Sequence, residues 1–275
     1  GVRRPVALAG PANRAGRLVA DAMLRPDQAR PIPPALGTAI VRLGKLTAAM
    51  TGANRATLIA QDIAHHTVHL HPNQHAGYFP GATQVHLVVH FRATDGLLLG
   101  AQAVGPDGVD KRIDVLATAI RNRMTVRDLI DLDLSYSPPY GNAKDPITMA
   151  GLLGDNVLSG TTRLWYPWQV DQVLETSLVL DTRGPAEFAT GHLPGALNIP
   201  HTEVRDRLDE IRAAADGRPV RVMCVSGFRS YLAHRVLAAN GFDSATLSGG
   251  ILTLRSALGR RAAALLTTPE PAHSA

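Results

Sequence analysis

Pro219-Val220-Arg221-Val222-Met223-Cys224-Val225-Ser226-Gly227-Phe228-Arg229-Ser230 carries three signals in twelve residues. Its first five residues predict a strand. Ser230-Tyr231-Leu232-Ala233-His234-Arg235-Val236-Leu237 predicts a helix leaving it. Between them, a short glycine-containing loop holds the only cysteine of 275 residues. Backbone N–H groups of such a loop converge on one point, and the helix start adds positive potential. That environment stabilises negative charge on sulfur. A lone cysteine is equally at home as a small buried apolar residue, and at this level both readings stand.

Around this segment, short apolar strands alternate with helices. Strands are expected at 178–180, 196–199, 220–225 and 244–247, and helices at 185–190, 203–214, 229–240 and 251–258. The alternation predicts a parallel-sheet α/β domain. The upstream half reads differently. A helix over 12–24, opened by Gly10-Pro11, stands alone before a proline-rich loop. One or two strands over 37–50, a short helix over 53–61 and a strand over 64–71 follow. A hairpin turns about Asp95-Gly96, and helices are expected at 108–123, 125–132 and 146–158. Helices on a largely antiparallel sheet make this an α+β unit.

Composition bounds the function. The formal charge is +5, but the arginines are scattered and alternate with acids, and aromatics make up 4 %. No dense basic run with interleaved aromatics exists, so no nucleic-acid partner is expected. One cysteine excludes an intramolecular disulfide and any cysteine-based zinc site. No apolar run reaches membrane-spanning length and no signal-peptide pattern opens the chain, so a cytoplasmic protein is expected. The first residue is Gly, which suggests a fragment or a processed product. His65, His69 and His71 share one strand face, but without a nearby carboxylate or cysteine they read as surface or interface residues, not metal ligands. His86 and His90 are expected at solvent or a subunit contact.

Four motifs of the second half occur in a telling order: Asp181-Thr182-Arg183, Glu187-Phe188 with Gly191-His192-Leu193-Pro194-Gly195-Ala196, the Cys-x-x-Gly-x-Arg loop at 224–229, and Leu247-Ser248-Gly249-Gly250. The series resembles a rhodanese homology domain over about 173–262. The resemblance implies that Cys224 carries sulfane sulfur as a persulfide. It implies that amides of Val225, Ser226, Gly227, Phe228 and Ser230 cradle that sulfur, and that Arg229 neutralises an anionic donor. Asp181 orients Arg183 or the loop, or is simply a buried structural acceptor. Arg229 lies five residues after Cys224, one fewer than in cysteine-dependent phosphatases, which favours a sulfur atom over a tetrahedral phosphate. Leu254 stands where the family has a tryptophan.

The first half carries Leu8-Ala9-Gly10-Pro11-Ala12-Asn13-Arg14, then the run from His71 to Ala82, Gly108-Val109-Asp110-Lys111-Arg112-Ile113-Asp114, and the run from Tyr136 to Pro146. These resemble the C-terminal part of coenzyme A-disulfide reductases, flavoproteins of the pyridine nucleotide-disulfide oxidoreductase family, over about 5–158. The resemblance implies a homodimer. It also implies that Tyr78 and Tyr136 reach a partner's active site as donors to a developing thiolate. Gly10, Pro11, Ala12 and Asn13 would lie against the flavin. Phe79 replaces a second tyrosine usual in relatives.

No Gly-x-Gly-x-x-Gly follows a predicted strand. The resemblance implies FAD and NAD(P)H in the full-length enzyme, and without that motif the chain alone is expected to hold neither. The organisation expected is a remnant of a flavin-binding domain at 1–30, a dimerisation domain at 31–158, a linker at 159–172 docking through aromatics, a rhodanese domain at 173–262 and a disordered tail at 263–275. The expected function is the C-terminal portion of a CoA-disulfide or CoA-persulfide reductase, acting on CoA-linked or other low-molecular-weight persulfides and disulfides. A stand-alone sulfurtransferase on a dimerisation scaffold, and a non-catalytic sulfur-binding module, remain open alternatives.

Overall fold

The computed structural model describes residues 6–266. The chain divides into two compact units, one of residues up to 67 together with 72–149, the other of 150 onward together with Val68–His71.

In the first unit, α1 (Ala9–Leu24) precedes β1 (Ala39–Leu43), β2 (Leu46–Gly52), α2 (Arg55–Ala60), β3 (His65–Leu70), β4 (His86–Arg92), β5 (Leu98–Gly105) and α3 (Val109–Arg121). The sheet runs in the order β1-β2-β5-β4-β3, and β1/β2, β2/β5 and β5/β4 are antiparallel. Gly108 supplies the left-handed cap of α3, whose Ile113, Leu116 and Ala119 are buried. The short helix expected at 125–132 is absent. Thr125 donates to Asp128 from both backbone and hydroxyl, yet no helix follows: the segment is a run of turns anchored by buried Val126 and Leu129.

α4 (Pro146–Leu158) leads into the second unit. There follow β6 (Leu164–Trp165), α5 (Val170–Thr176), β7 (Leu178–Asp181), α6 (Pro185–Ala189), β8 (Leu197–Asn198), α7 (Leu208–Ala215), β9 (Val220–Met223), α8 (Phe228–Ala239), β10 (Ser244–Leu247), α9 (Gly250–Leu258) and α10 (Arg260–Leu265). The strand order is β6-β10-β9-β7-β8, and every neighbouring pair is parallel. Leu178, Leu180, Val220 and Val222 point into one apolar layer, Val179, Met223, Ala245 and Leu247 into the other. A parallel sheet covered on both faces needs such unbroken apolar strands. Leu254, in place of the tryptophan, is fully buried in the second layer.

Two boundaries differ from expectation. The segment 159–172 is no mere linker: Leu164–Trp165 pairs with β10 as the edge strand, and buried Trp165 donates its indole N–H to the Val222 carbonyl at 3.1 Å. At the other end, α10 continues to Leu265 through residues assigned to a tail, and 267–275 lie outside the described residues.

Candidate active site

Hydrophobic β9 delivers Cys224 to the C-terminal edge of the parallel sheet, where α/β folds place their ligands. Gly227 then takes φ +105°, a left-handed value that turns the chain into α8. Its N–H donates to Cys224 Sγ at 3.2 Å. The first intrahelical bond of α8 runs from the Tyr231 amide to the Gly227 carbonyl, so the amides of Phe228, Arg229 and Ser230 lie ahead of the helical ladder. The Ser230 hydroxyl donates to the Gly227 carbonyl and accepts from Thr246.

The carbonyl edge of the loop is fixed from a second helix. Ile251 and Leu252 of α9 donate their amides to the Cys224 and Val225 carbonyls at 2.9 and 3.1 Å. Gly250 permits this approach. A Cβ there would stand 2.5 Å from the Val225 carbonyl oxygen and 2.6 Å from that of Cys224. Cys224 is 1 % exposed, so burial alone would suit a packing cysteine. The Gly227 N–H on sulfur and the helix start add polar surroundings that packing does not require.

Arg229 is not open to solvent as an unpaired cation. Its Nη1 and Nη2 donate to Glu187 Oε2 and Oε1 at 2.6 and 2.8 Å, a two-pronged pair. That hydrogen bond, foremost, holds the Glu187 carboxyl down to about 2. The same contact, ahead of the charges of Cys224 and Asp181, raises Arg229. Glu187 had no role assigned from sequence. Its position three residues after Gly184 is a helix-start signature, and Oε2 indeed accepts from the Gly184 N–H at 3.1 Å.

Fully buried Asp181 receives Arg183 Nε at 2.9 Å and Nη2 at 2.6 Å. Arg183 in turn donates to the Glu187 and Gly191 carbonyls. Asp181 therefore orients Arg183, and Arg183 holds the backbone of α6. Asn198 closes the turn by donating to the Asp181 and Arg183 carbonyls.

The first unit brings its two expected residues together. Tyr78 and Tyr136 are both exposed, and the neighbouring Tyr136 hydroxyl raises the Tyr78 phenol above its ordinary value. Their loops are joined beneath them. The Ala76 amide donates to the Gly141 carbonyl, Asn142 Nδ2 to the Asn73 carbonyl, and Arg112 Nη2 to both the Gln74 carbonyl and Asp145. Gly10, Pro11, Ala12 and Asn13 form the first turns of α1, where Asn13 donates to the Ala9 carbonyl. Gly10 and Pro11 line a cavity of about 950 Å³ with Pro33, Leu36 and Asp114.

The histidines divide. His90, expected at solvent, is buried between Thr67 and Gln102. His69 and His71 bond Ser248 and Thr253 within the second unit. Among the described residues, no three His, Cys, Asp or Glu side chains are grouped as for a metal ion. No helix among them is long and apolar enough to cross a membrane.

Comparison with known proteins agrees with this geometry. Residues 38–146 match the pyridine nucleotide-disulphide oxidoreductase dimerisation domain, and 168–256 match the rhodanese-like domain. Coenzyme A disulfide reductase of Staphylococcus haemolyticus is 43 % identical over 116 residues, 42 % of this chain and 26 % of that protein. The structure of reduced CoADR-RHD from Bacillus anthracis superposes with a TM-score of 0.91 at 37 % identity, covering 97 % of this chain and 46 % of that one. A NAD-dependent persulfide reductase from A. fulgidus gives 0.80 at 31 % identity, covering 91 % and 44 %. The chain thus spans less than half the length of each of these relatives.

Proposed function

For a chain that joins a pyridine nucleotide-disulphide oxidoreductase dimerisation domain to a rhodanese-like domain, we propose service as the C-terminal portion of a CoA-disulfide or CoA-persulfide reductase, with Cys224 as its sulfur carrier. The observation that carries the reading is the Gly227 N–H directed at Cys224 Sγ at the head of α8.

The Cys224 thiolate attacks the sulfane sulfur of a donor. The donor's S–S bond breaks as the new Sγ–S bond forms, and the leaving thiolate or sulfite departs with the bond's electron pair. The loop amides stabilise negative charge on the outer sulfur. An acceptor thiolate or cyanide then attacks that sulfur and regenerates the Cys224 thiolate, so the enzyme gains no electrons.

Reduction belongs to the larger assembly. A bound flavin there would pass electrons from NAD(P)H to the thiol–sulfur substrate. The exposed turn at Gly10–Asn13 beside an open cavity fits contact with a flavin. Tyr78 and Tyr136 would donate protons to a leaving thiolate at the partner subunit's site, a task suited to a phenol that stays protonated at neutral pH. A homodimer follows from the dimerisation domain, and CoA-linked persulfides or disulfides are the substrates this reading names.

The test is sulfur transfer from thiosulfate or glutathione persulfide to cyanide by the chain and its Cys224→Ser variant. Loss in the variant is expected; equal activity in both overturns the reading.

A further inference from the structure

The Glu187–Arg229 pair bears on which donors the Cys224 site accepts. Arg229 is the cation supplied by the loop itself, and both of its terminal nitrogens are taken by one carboxylate. The residue that carries that carboxylate is held at both its side chain and its backbone, though the side chain stays partly exposed. Oε2 also accepts from the Gly184 amide, and the Glu187 backbone carbonyl accepts from Arg183 Nη1 at 3.0 Å and Thr190 Oγ1 at 2.7 Å. The remaining loop side chains, Val225, Ser226 and Phe228, are uncharged, and Phe228 is exposed. The acid and its cation therefore cancel beside a loop that offers an approaching donor no other side-chain charge.

Resting on the sulfur-carrier reading of Cys224, we infer that Glu187 is a specificity-determining residue which, by holding Arg229, disfavours donors with two negative charges at the transferred sulfur relative to donors with one or none there. Thiosulfate carries two negative charges next to the sulfur to be transferred. At that sulfur an organic persulfide carries one or none, the carboxylates of glutathione and the phosphates of CoA lying several bonds away. A donor dianion meets Arg229 only by competing with a two-pronged carboxylate, an already strong partner. Removing the negative charge of Glu187 leaves the guanidinium uncommitted. The chemistry at sulfur is unaltered, since Glu187 touches neither Cys224 nor the transferred atom and acts through Arg229.

The experiment measures kcat/KM of the full chain with thiosulfate and with glutathione persulfide, cyanide being the acceptor. Wild type should show a thiosulfate-to-persulfide ratio below one. In Glu187→Gln the ratio should rise roughly tenfold, the scale of one released and partly exposed charge pair. In Glu187→Gln/Arg229→Gln it should fall back to the wild-type ratio or lower, because the released cation is gone. A purely structural role for the pair would depress both donors together and leave the ratio unmoved. An unmoved ratio in a variant with native circular dichroism overturns the inference, as does a rise that persists in the double variant. A wild-type ratio above one overturns it without any variant. Activity retained in Cys224→Ser with both donors would remove the site itself. Activity lost in Cys224→Ser with a ratio indifferent to Glu187 would remove only this assignment.

Discussion

Arg112 and Asp145 meet at 2.7 Å with 1 % and 6 % of their side chains exposed, and the same guanidinium nitrogen donates to the Gln74 carbonyl at 2.6 Å. One buried cation thus ties the loop bearing Tyr78 to the loop bearing Tyr136. Replacing Arg112 with Met leaves buried Asp145 with only the Ile147 amide at 3.0 Å and the Lys111 ammonium at 3.9 Å, and the expected loss is about 2–4 kcal/mol of stability. Urea denaturation measures it. A loss below about 1 kcal/mol would show that the pair is not needed to hold the loops.

The tyrosine pair is open to spectroscopic titration. The neighbouring Tyr136 hydroxyl holds the Tyr78 phenol above the ordinary value. Tyr136→Phe should therefore let Tyr78 ionise at lower pH, seen as an earlier last step in ultraviolet titration. An unchanged last step contradicts the pairing.

Two glycines near sulfur should differ in sensitivity. Ala at Gly227 meets nothing closer than 3.6 Å, so its penalty is the positive φ alone, about 1–2 kcal/mol. Ala at Gly250 adds a collision with the Cys224 and Val225 carbonyls, so the loop must shift. Gly250→Ala should lose more stability than Gly227→Ala, and thermal melts of the two give the order directly.

Acid should loosen both units through buried imidazoles. Burial above all lowers His90 and His234 to about 4, against an ordinary 6.5. His234 Nε2 accepts the Arg163 amide and its Nδ1 bonds Ser244, an arrangement that requires the neutral ring. Between pH 6.5 and 4 the unfolded chain binds protons that the folded chain does not, so stability falls as pH falls through that window and these two groups add nothing below it. The loss should be on the order of 1–3 kcal/mol per ring. Urea melts across the window measure it, and His234→Gln should flatten the slope.

The edge strand β1 and its hairpin partner leave Val41, Leu43 and Leu46 exposed, with Leu43 and Leu46 directly paired, while Ile40 points to the other side. Leu43→Glu should weaken self-association at least roughly tenfold if this face is the contact. Sedimentation velocity at several concentrations reads the shift, and an unaltered dimer would move the interface elsewhere.

Much of this was legible from residue order, for physical reasons that can be named. The β9–Cys224–α8 unit announces itself through apolar β-type residues, a glycine where φ turns positive, and a helix-forming run. Asp181 and Arg183 stand out at a strand end, but residue order leaves open whether Asp181 orients Arg183, orients the loop or is a buried acceptor; their bonds decide for Arg183. What sequence concealed was partnership at a distance. Glu187 and Arg229 are 42 residues apart, and nothing local says that the loop arginine is already engaged. His90 misled because alternate spacing on a strand does not reveal which face a second layer covers. The helix expected at 125–132 misled for a local reason: Thr125 and Asp128 bond each other as residues opening a helix do, and the chain continues as turns.

Trp165 gives the earlier boundary correction a practical edge. The rhodanese-like match begins at 168, yet β6 at Leu164–Trp165 closes one side of the sheet. A polypeptide cut at 168 would strip β10 of its neighbour, remove the indole from the Val222 carbonyl, and present a bare row of peptide groups to other copies. Such a truncation would leave β10 open to edge-to-edge pairing with other copies. An excised rhodanese-like module must start upstream of Leu164.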